Sequence, residues 1–207
     1  GLSRNEILSG CKDTKNIPNL QTIIDRLHQF EPIQYIFGHT VWHGLDLKVT
    51  PATLIPRPET AELVDQIIHE HLDPEKKQVK VLDVGTGSGC IAIALKKAYP
   101  HWSVKGIDIS EAAIEVAKEN AKRNGVEVEF GIADIFSDSE DLHSSDFIEK
   151  KHPYDIVVSN PPYICEREKE EMGPNVLDYE PDSALFVPDE DPLKFYLRIA
   201  SLHLGAR

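Results

Sequence analysis

Residues 79–203 predict a doubly wound, Rossmann-like α/β fold on a parallel sheet, and three observations carry that prediction. Short strand-patterned runs recur at 79–84, 104–107, 126–130 and 154–159, the third alternating apolar residues with Glu127 and Glu129. Helix-patterned stretches at 88–98 and 111–124 separate the first three runs, and another follows at 192–203. A glycine-rich turn, Gly85-Thr86-Gly87-Ser88-Gly89, joins the first run to its helix. Strands alternating with helices of this length pair in parallel, with helices covering both faces of the sheet.

The elements follow in order. Within residues 1–30, Leu20, Ile23, Ile24 and Leu27 recur at helical spacing after Pro18 and Asn19, as at the end of a small helical unit. Tyr35-Ile36-Phe37-Gly38 and the run from Val41 to Val49 suggest two short strands around glycine turns, a hairpin. Pro51, Pro56 and Pro58 then impose an extended connector before a helix over 59–72. Ser110 is the expected N-cap of the helix at 111–124, and Gly125 its stop. Residues 137–152, rich in Ser, Asp, Glu and Lys, read as a solvated loop with at most a short helix. A doubly wound sheet ordinarily adds strands after the last helix, so the chain is expected to be a piece of a longer protein, cut short at its C-terminus. The expected division is 1–31 for the end of an N-terminal helical domain. The hairpin and Pro-rich linker take 32–58, and the incomplete catalytic domain takes 59–207.

Composition narrows the functions. The 207 residues carry 35 Asp and Glu against 22 Lys and Arg, a net charge of −13. Proteins that grip nucleic acid draw affinity from Lys and Arg on phosphates, so the balance favours a protein or small-molecule partner. No run approaches the roughly 18 apolar residues of a membrane span, and residues 1–6 lack a signal-peptide pattern. Cys11, Cys90 and Cys165 are far apart and fit neither a disulfide framework nor a zinc site. They read as reduced thiols of a cytoplasmic protein. The nine histidines form no H-E-x-x-H pair, and His69 and His71 are two apart and cannot share a helix face, so no metal is expected.

The glycine turn has the pattern G-x-G-x-G. The dinucleotide fingerprint G-x-G-x-x-G would require glycine at position 90, where Cys90 stands, which counts against a nicotinamide cofactor. Asp108 closes the second strand, where a carboxylate accepts the hydroxyls of a ribose. Asp134 follows the third, placed to receive the exocyclic amine of adenine, with Ile135 and Phe136 to pack on the ring. Singly, each acid is as well explained as a turn residue or helix cap. Together and in this order they suit an adenosine with a charged tail.

Ser159-Asn160-Pro161-Pro162-Tyr163 ends the fourth strand. Two prolines stiffen the backbone and withhold two N–H donors, which leaves carbonyl acceptors. With the Asn160 carboxamide and the Tyr163 ring they make a slot for a planar NH2 group. Methyl transfer from a sulfonium needs little more than such alignment, which can contribute about 7–11 kcal/mol. Standing alone, the same tetrapeptide could be a proline turn packed by a tyrosine.

Three further segments carry a family resemblance: Pro32-Ile33-Gln34-Tyr35-Ile36-Phe37-Gly38, Leu54-Ile55-Pro56-Arg57-Pro58-Glu59-Thr60, and Tyr179-Glu180-Pro181-Asp182-Ser183-Ala184-Leu185. With the Asn160–Tyr163 motif, over roughly residues 30–200, they resemble the release-factor glutamine methyltransferases (the HemK/PrmC family), which have a class I S-adenosylmethionine-dependent fold. The resemblance implies protein-(glutamine-N5) methylation of the Gly-Gly-Gln motif of peptide-chain release factors, by a monomer, with S-adenosylhomocysteine as product. It assigns Gly85, Thr86, Gly87, Ser88, Gly89, Asp108, Asp134, Ile135 and Asn160 to S-adenosylmethionine. Asn160, Pro161, Pro162 and Tyr163 would hold the glutamine amide, with Asn160, Pro161 and Tyr163 the catalytic set, and Arg57 and Glu59 would shape the cleft. Glu59 in a helix's first turn and Glu180-Pro181 as a plain turn are the structural readings of those positions. The alternative activity is N-methylation of an exocyclic amine of adenine or guanine in DNA or ribosomal RNA, because that chemistry shares the slot.

Overall fold

The structure, a computed structural model, describes residues 18–70, 79–137 and 154–204. Four parallel strands form the central sheet: β3 (Lys80–Val84), β4 (Ser103–Asp108), β5 (Glu129–Ile132) and β6 (Ile156–Ser159), in the order β5-β4-β3-β6. Before them come α1 (Leu20–His28), α2 (Ile33–Phe37), the antiparallel pair β1 (His39–Trp42) and β2 (Leu45–Lys48), and α3 (Pro58–Glu70). The remaining elements of the sheet domain are α4 (Cys90–Ala98), α5 (Glu111–Arg123), the two-residue pair β7 (Ile164–Cys165) and β8 (Phe186–Val187), α6 (Pro174–Leu177) and α7 (Lys194–Leu204).

The sheet is covered on both faces, which is why β3 and β6 read as apolar runs, while the segment leading into the edge strand β5 alternates with Glu. Val64 and Ile67 of α3, Ile91 to Leu95 of α4 and Ile114, Ala117 and Ala121 of α5 pack with Val81, Val104 and Val158 in the larger core. The hairpin joins that core through Trp42, Leu45 and Leu47. A smaller core forms from Leu82, Val84, Ile107 and Ile135, covered by Phe195, Ile199 and Leu202 of α7. Strand order runs outward from β3 through β4 to β5, then returns to the other side of β3 for β6. The reversal between β3 and β6 opens a crevice beyond the carboxyl ends of the strands, where open α/β sheets bind ligands.

Local signals account for the boundaries. Ser110 Oγ accepts from Ala113 N at 3.2 Å and caps α5, as expected. At its other end Gly125 adopts φ +69, with Gly125 N bonded to the Lys122 carbonyl and Val126 N to that of Ala121. That pair of bonds is a Schellman motif. It keeps Val126 in the helix cap, so the third strand begins at Glu129 and not at the expected 126.

A second correction concerns the hairpin. Tyr35-Ile36-Phe37 belongs to the helical turn α2, closed by Gly38 at φ +71, and not to a strand. Tyr35 and Ile36 donate their N–H groups to the Pro32 carbonyl. The Tyr35 hydroxyl reaches inward to the Thr53 carbonyl at 2.7 Å, and a short apolar run of this kind fits either element until such a contact decides. The hairpin therefore pairs His39–Trp42 with Leu45–Lys48, turning at His43 (φ +48) and Gly44 (φ +72), the two positive angles of a type I′ turn. The expected helix over 59–72 runs from Pro58 to Glu70. The patterns expected at 1–17, Cys11, and the loop expected at 137–152 (beyond Ser137 itself) lie outside the described residues, as do 71–78. No helix among the described residues is long and apolar enough to cross a membrane.

Candidate functional site

Register places four strand ends together. Val84 pairs with Ser159 and with Ile107, and Asp108 pairs with Ile132. The Gly85 turn, the Asp108 corner, the Asp134 corner and Asn160 therefore leave the same edge of the sheet. The Ser159 hydroxyl donates to the Val84 carbonyl at 2.6 Å and ties the Asn160 segment to the start of the glycine turn. Around these ends lies a cavity of about 520 Å³, within the range of small-molecule sites.

The glycine turn is held from below. Gly85, Gly87 and Gly89 adopt φ of +67, +54 and +80, a region open to glycine at little cost. Thr86 Oγ1 donates to Asp83 Oδ2 at 2.6 Å, and Gly87 N donates to Asp108 Oδ2 at 2.9 Å. A Cβ on Gly85 would meet nothing within 4 Å, so the backbone stands open to the cavity there. Gly89 behaves differently. Its Cβ position faces Ile93, Ala117 and Phe130 at 3.1–3.2 Å, and the residue is absent from the cavity lining. Gly89 lets the helix close on the sheet, while Gly85, Thr86, Gly87 and Ser88 face the space where a ligand fits.

Asp108 uses its carboxylate on Gly87 N and, through Oδ1, on Ser110 N at 2.9 Å. An ionised carboxylate offers about four acceptor sites, so capacity remains for a diol. Asp134 holds Phe136 N at 2.8 Å and also lines the cavity. Ile109 and Phe136 line it too while 62% and 42% exposed, apolar plates with room for a flat ring between strand ends. Open glycine backbone, acceptors for hydroxyls and an amine, and uncovered apolar surface together fit an adenosine group.

Beneath the turn, Asp83 is fully buried. Burial pushes its carboxyl up to about 7, against the opposing hydrogen bonds from Thr86 and the Ala92 N–H. Its Oδ1 has no hydrogen-bond partner. Burial, with the Asp83 charge adding to it, likewise pushes the Cys90 thiol up to about 12, so it stays protonated.

Across the cavity, Asn160 is fixed by its amide, with Nδ2 donating to Thr60 Oγ1 at 3.1 Å. Thr60 is buried in the first turn of α3, so the Asn160 carbonyl oxygen is the atom left to accept from a ligand. Pro161 and Pro162 line the same cavity. Tyr163 lies 56% exposed against an adjoining hollow of about 50 Å³, which shares Leu54, Arg57, Asn160, Pro161 and Ala184 with the large one. Arg57 donates to Glu180 Oε1 at 2.7 Å, and Glu180 Oε2 accepts from Ile55 N at 3.2 Å. Only 1% of the Glu180 side chain is exposed, so this pair bolts the proline connector to the segment at 180–186. Glu59 is exposed on α3 and outside the lining, its place there taken by Thr60.

Three residues missed in the sequence thus support the site: Thr60, Asp83 and Glu180. Thr60 and Glu180 stand inside the segments that carried the resemblance, without any local sign of partners 100 and 123 residues away.

A parallel sheet that opens a nucleoside-sized cavity between a glycine turn and an Asn-Pro-Pro-Tyr corner places the chain among the methyltransferases, and the methyltransferase small domain family profile matches residues 62–177. The catalytic domain of hMettl16, solved with the MAT2A 3′UTR hairpin 6, aligns at a TM-score of 0.55 and 15% identity over 92% of this chain and 76% of that one, a likeness of fold. Among curated proteins, the release factor glutamine methyltransferase of Bacteroides thetaiotaomicron is 50% identical over 97% of this chain and 66% of its own length. The same enzyme of Flavobacterium psychrophilum is 47% identical over 95% and 67%, and that of Streptococcus pneumoniae 45% over 87% and 60%. The chain belongs to the release factor glutamine methyltransferase family. It spans 60–67% of the length of these three relatives.

Proposed function

We propose that the protein transfers a methyl group from S-adenosylmethionine to the side-chain amide nitrogen of the glutamine in the Gly-Gly-Gln motif of a peptide-chain release factor. The observation that carries this reading is the junction of β3 and β6, where the Ser159–Val84 bond sets Asn160 beside the glycine turn.

Held in the cavity by these residues, S-adenosylmethionine would supply an electrophilic sulfonium methyl group for the amide nitrogen, with the thioether S-adenosylhomocysteine as the leaving product and the displaced N–H proton passing to solvent. The chain's own task is alignment. Gly85, Thr86, Gly87 and Ser88 bring backbone to the cofactor, with Gly89 closing the helix beneath them. Asp108 accepts from the ribose and Asp134 from the adenine amine, and Ile135 packs with them. Asn160 accepts an N–H of the glutamine amide on its free carbonyl oxygen, since Thr60 already takes its NH2 group. The Pro161 carbonyl accepts a second N–H, and Pro162 stiffens the corner. Tyr163 stacks behind the amide. Drawing on both N–H bonds pushes electron density onto nitrogen and fixes its direction of attack. Arg57, held by Glu180, shapes the entrance, and Glu59 stands outside it on the α3 surface.

The same reading makes residues 1–31 the end of a helical substrate-recognition domain, 32–58 a hairpin and linker, and 59–207 the catalytic domain. It takes the protein as a cytoplasmic monomer that acts on protein and not on nucleic acid. Incubation of the protein with methyl-labelled cofactor and, in parallel, release factor, ribosomal RNA and DNA tests it. Label on the Gly-Gly-Gln glutamine, located by mass spectrometry, is the expected result. Label on nucleic acid alone overturns the proposal.

A further inference from the structure

Helix α5 presents Ala113, Ile114, Val116, Ala117 and Ala121 to the core, and on that apolar stripe stands a polar residue, Asn120, with no exposed surface. A buried carboxamide is costly unless its hydrogen bonds are made. Asn120 makes three. Its Oδ1 accepts from Lys48 N at 2.6 Å, and its Nδ2 donates to the Lys48 carbonyl at 3.0 Å and to the Ser88 carbonyl at 2.9 Å. The first two bonds continue the ladder of β2 onto a side chain. The third reaches into the glycine turn.

One helical turn on, Asn124 repeats the first half of this arrangement. It accepts from Asp46 N at 3.2 Å and donates to the Asp46 carbonyl at 2.9 Å, while its other donated bond goes to the Asn120 carbonyl. Both residues clamp the hairpin to α5, and only Asn120 also touches the turn. Besides its backbone bonds, Thr86 N to the Ile107 carbonyl and Gly89 N to the Thr86 carbonyl, the turn is pinned by three side chains: Thr86 Oγ1 by Asp83, Gly87 N by Asp108, and the Ser88 carbonyl by Asn120. The same peptide unit is held on its other side by Gly89 N, which donates to the Thr86 carbonyl at 2.8 Å, so losing the Asn120 bond leaves a buried carbonyl without its side-chain donor and loosens one of the two ties on that peptide.

We propose that Asn120 is a positioning residue for cofactor binding, holding the Ser88 carbonyl away from the cavity and coupling the hairpin to the glycine turn; this rests on the reading of the turn as the S-adenosylmethionine site. Asn124 supplies the control, because its removal loosens the hairpin and leaves the turn's bonds in place.

The test is titration calorimetry of S-adenosylhomocysteine into the full chain and its variants, with unfolding curves recorded without ligand. Loss of one buried hydrogen bond at the turn is expected to weaken binding about tenfold in Asn120→Ala. Asn120→Asp keeps the acceptor for Lys48 N but turns an oxygen toward two carbonyls, and is expected to weaken binding at least as much. Asn124→Ala should stay within about twofold of the parent. Equal affinities for the Asn120 and Asn124 variants overturn the proposal, whatever their stabilities. A measurement on the unaltered protein covers variants that do not fold: bound S-adenosylhomocysteine should slow hydrogen exchange at Lys48 N more than at Asp46 N, because coupling is reciprocal. Equal slowing overturns it too. Failure of the parent protein to bind S-adenosylhomocysteine would sink the cofactor reading and this inference together, whereas binding without the difference sinks this inference alone.

Discussion

Three strand-end segments from one part of the chain, within 84–91, 107–110 and 133–136, supply the glycine-turn side of the cavity, whereas the side around Asn160 is gathered from residues 52–60, 159–162 and 181–186, with Lys194, Phe195 and Ile199 of α7 completing the lining. On the first side the contacts stay within one part of the chain and each ends on an Asp carboxylate: Thr86 Oγ1 donates to Asp83, Gly87 N to Asp108 and Phe136 N to Asp134. On the second they are long in sequence and made by side chains, with Asn160 on Thr60 and Arg57 on Glu180. These carboxylates sit in or just after the strands they serve (Asp83 in β3, Asp108 at the end of β4, Asp134 after β5), so their contacts form with the sheet and the first side is inseparable from the fold. Side-chain bolts between distant segments can be removed with the sheet intact. Damage on the first side should therefore appear as instability, and damage on the second as lost turnover.

The largest effect expected from this contrast is Asn160→Ala. Loss of one group aimed at the reacting atoms typically costs about 10²–10³ in rate, and kcat should fall by that order while the melting temperature and cofactor affinity hold. Unchanged turnover in a methyl-transfer assay would remove Asn160 from the reaction. On the opposite side, Gly106→Ala would place a Cβ 2.7 Å from the Phe130 ring and 2.8 Å from Thr86 Oγ1. Overpacking of this kind costs about 1–3 kcal/mol, read as a lower denaturation midpoint. Turnover per folded molecule should change much less than in Asn160→Ala, and the contrast fails if the two variants behave alike.

Glu180→Ala leaves Ile55 N and the half-buried Arg57 without their acceptor. About 1–3 kcal/mol of stability should go with it, discounted because 33% of the Arg57 side chain reaches solvent. KM for the protein substrate should rise more than that for cofactor. Steady-state kinetics with each substrate varied decides this.

Asp83 sharpens the comparison through pH. Its carboxyl lies near 7 in the folded chain, above the ordinary value of roughly 3.9, chiefly because it is buried. Its favourable contribution is complete below pH about 4 and is lost as pH rises through about 7, since the folded state must then ionise a buried group. Urea midpoints measured from pH 4 to 8 should fall across that window, and Asp83→Asn should flatten that part of the curve. The smallest effect is expected from Lys48→Ala. Its 2.6 Å pair with Glu119 is an exposed contact next to a buried clamp, and its removal should change stability by less than about 1 kcal/mol in denaturant titrations.

The same division governs how much of the molecule is legible in its sequence. The four strands, the capped helix stopped by Gly125 and the strand-end corners at Gly85, Asp108 and Asp134 that line the cavity all rest on local patterns: apolar or alternating runs, a Ser N-cap, glycines needing positive φ. The departures fall where one local signal serves two purposes. Tyr35-Ile36-Phe37 reads equally as strand or helix, and the contact with Thr53 decides it. Val126 has the residue type of a strand start, although the helix cap uses it. Asn120 carries a faint signal, a polar residue on an apolar helical face, but its partners at Lys48 and Ser88 are 72 and 32 residues away.

What can be read along the chain is therefore the set of elements and the residue types at their ends, because propensity, capping and periodicity act over a few residues. What needs the folded molecule is which ends meet. The strand reversal between β3 and β6 brings Asn160 to the glycine turn, and the Thr60 and Glu180 contacts aim the side chains there. Such contacts depend on distances between residues far apart in sequence, and no local preference encodes those distances.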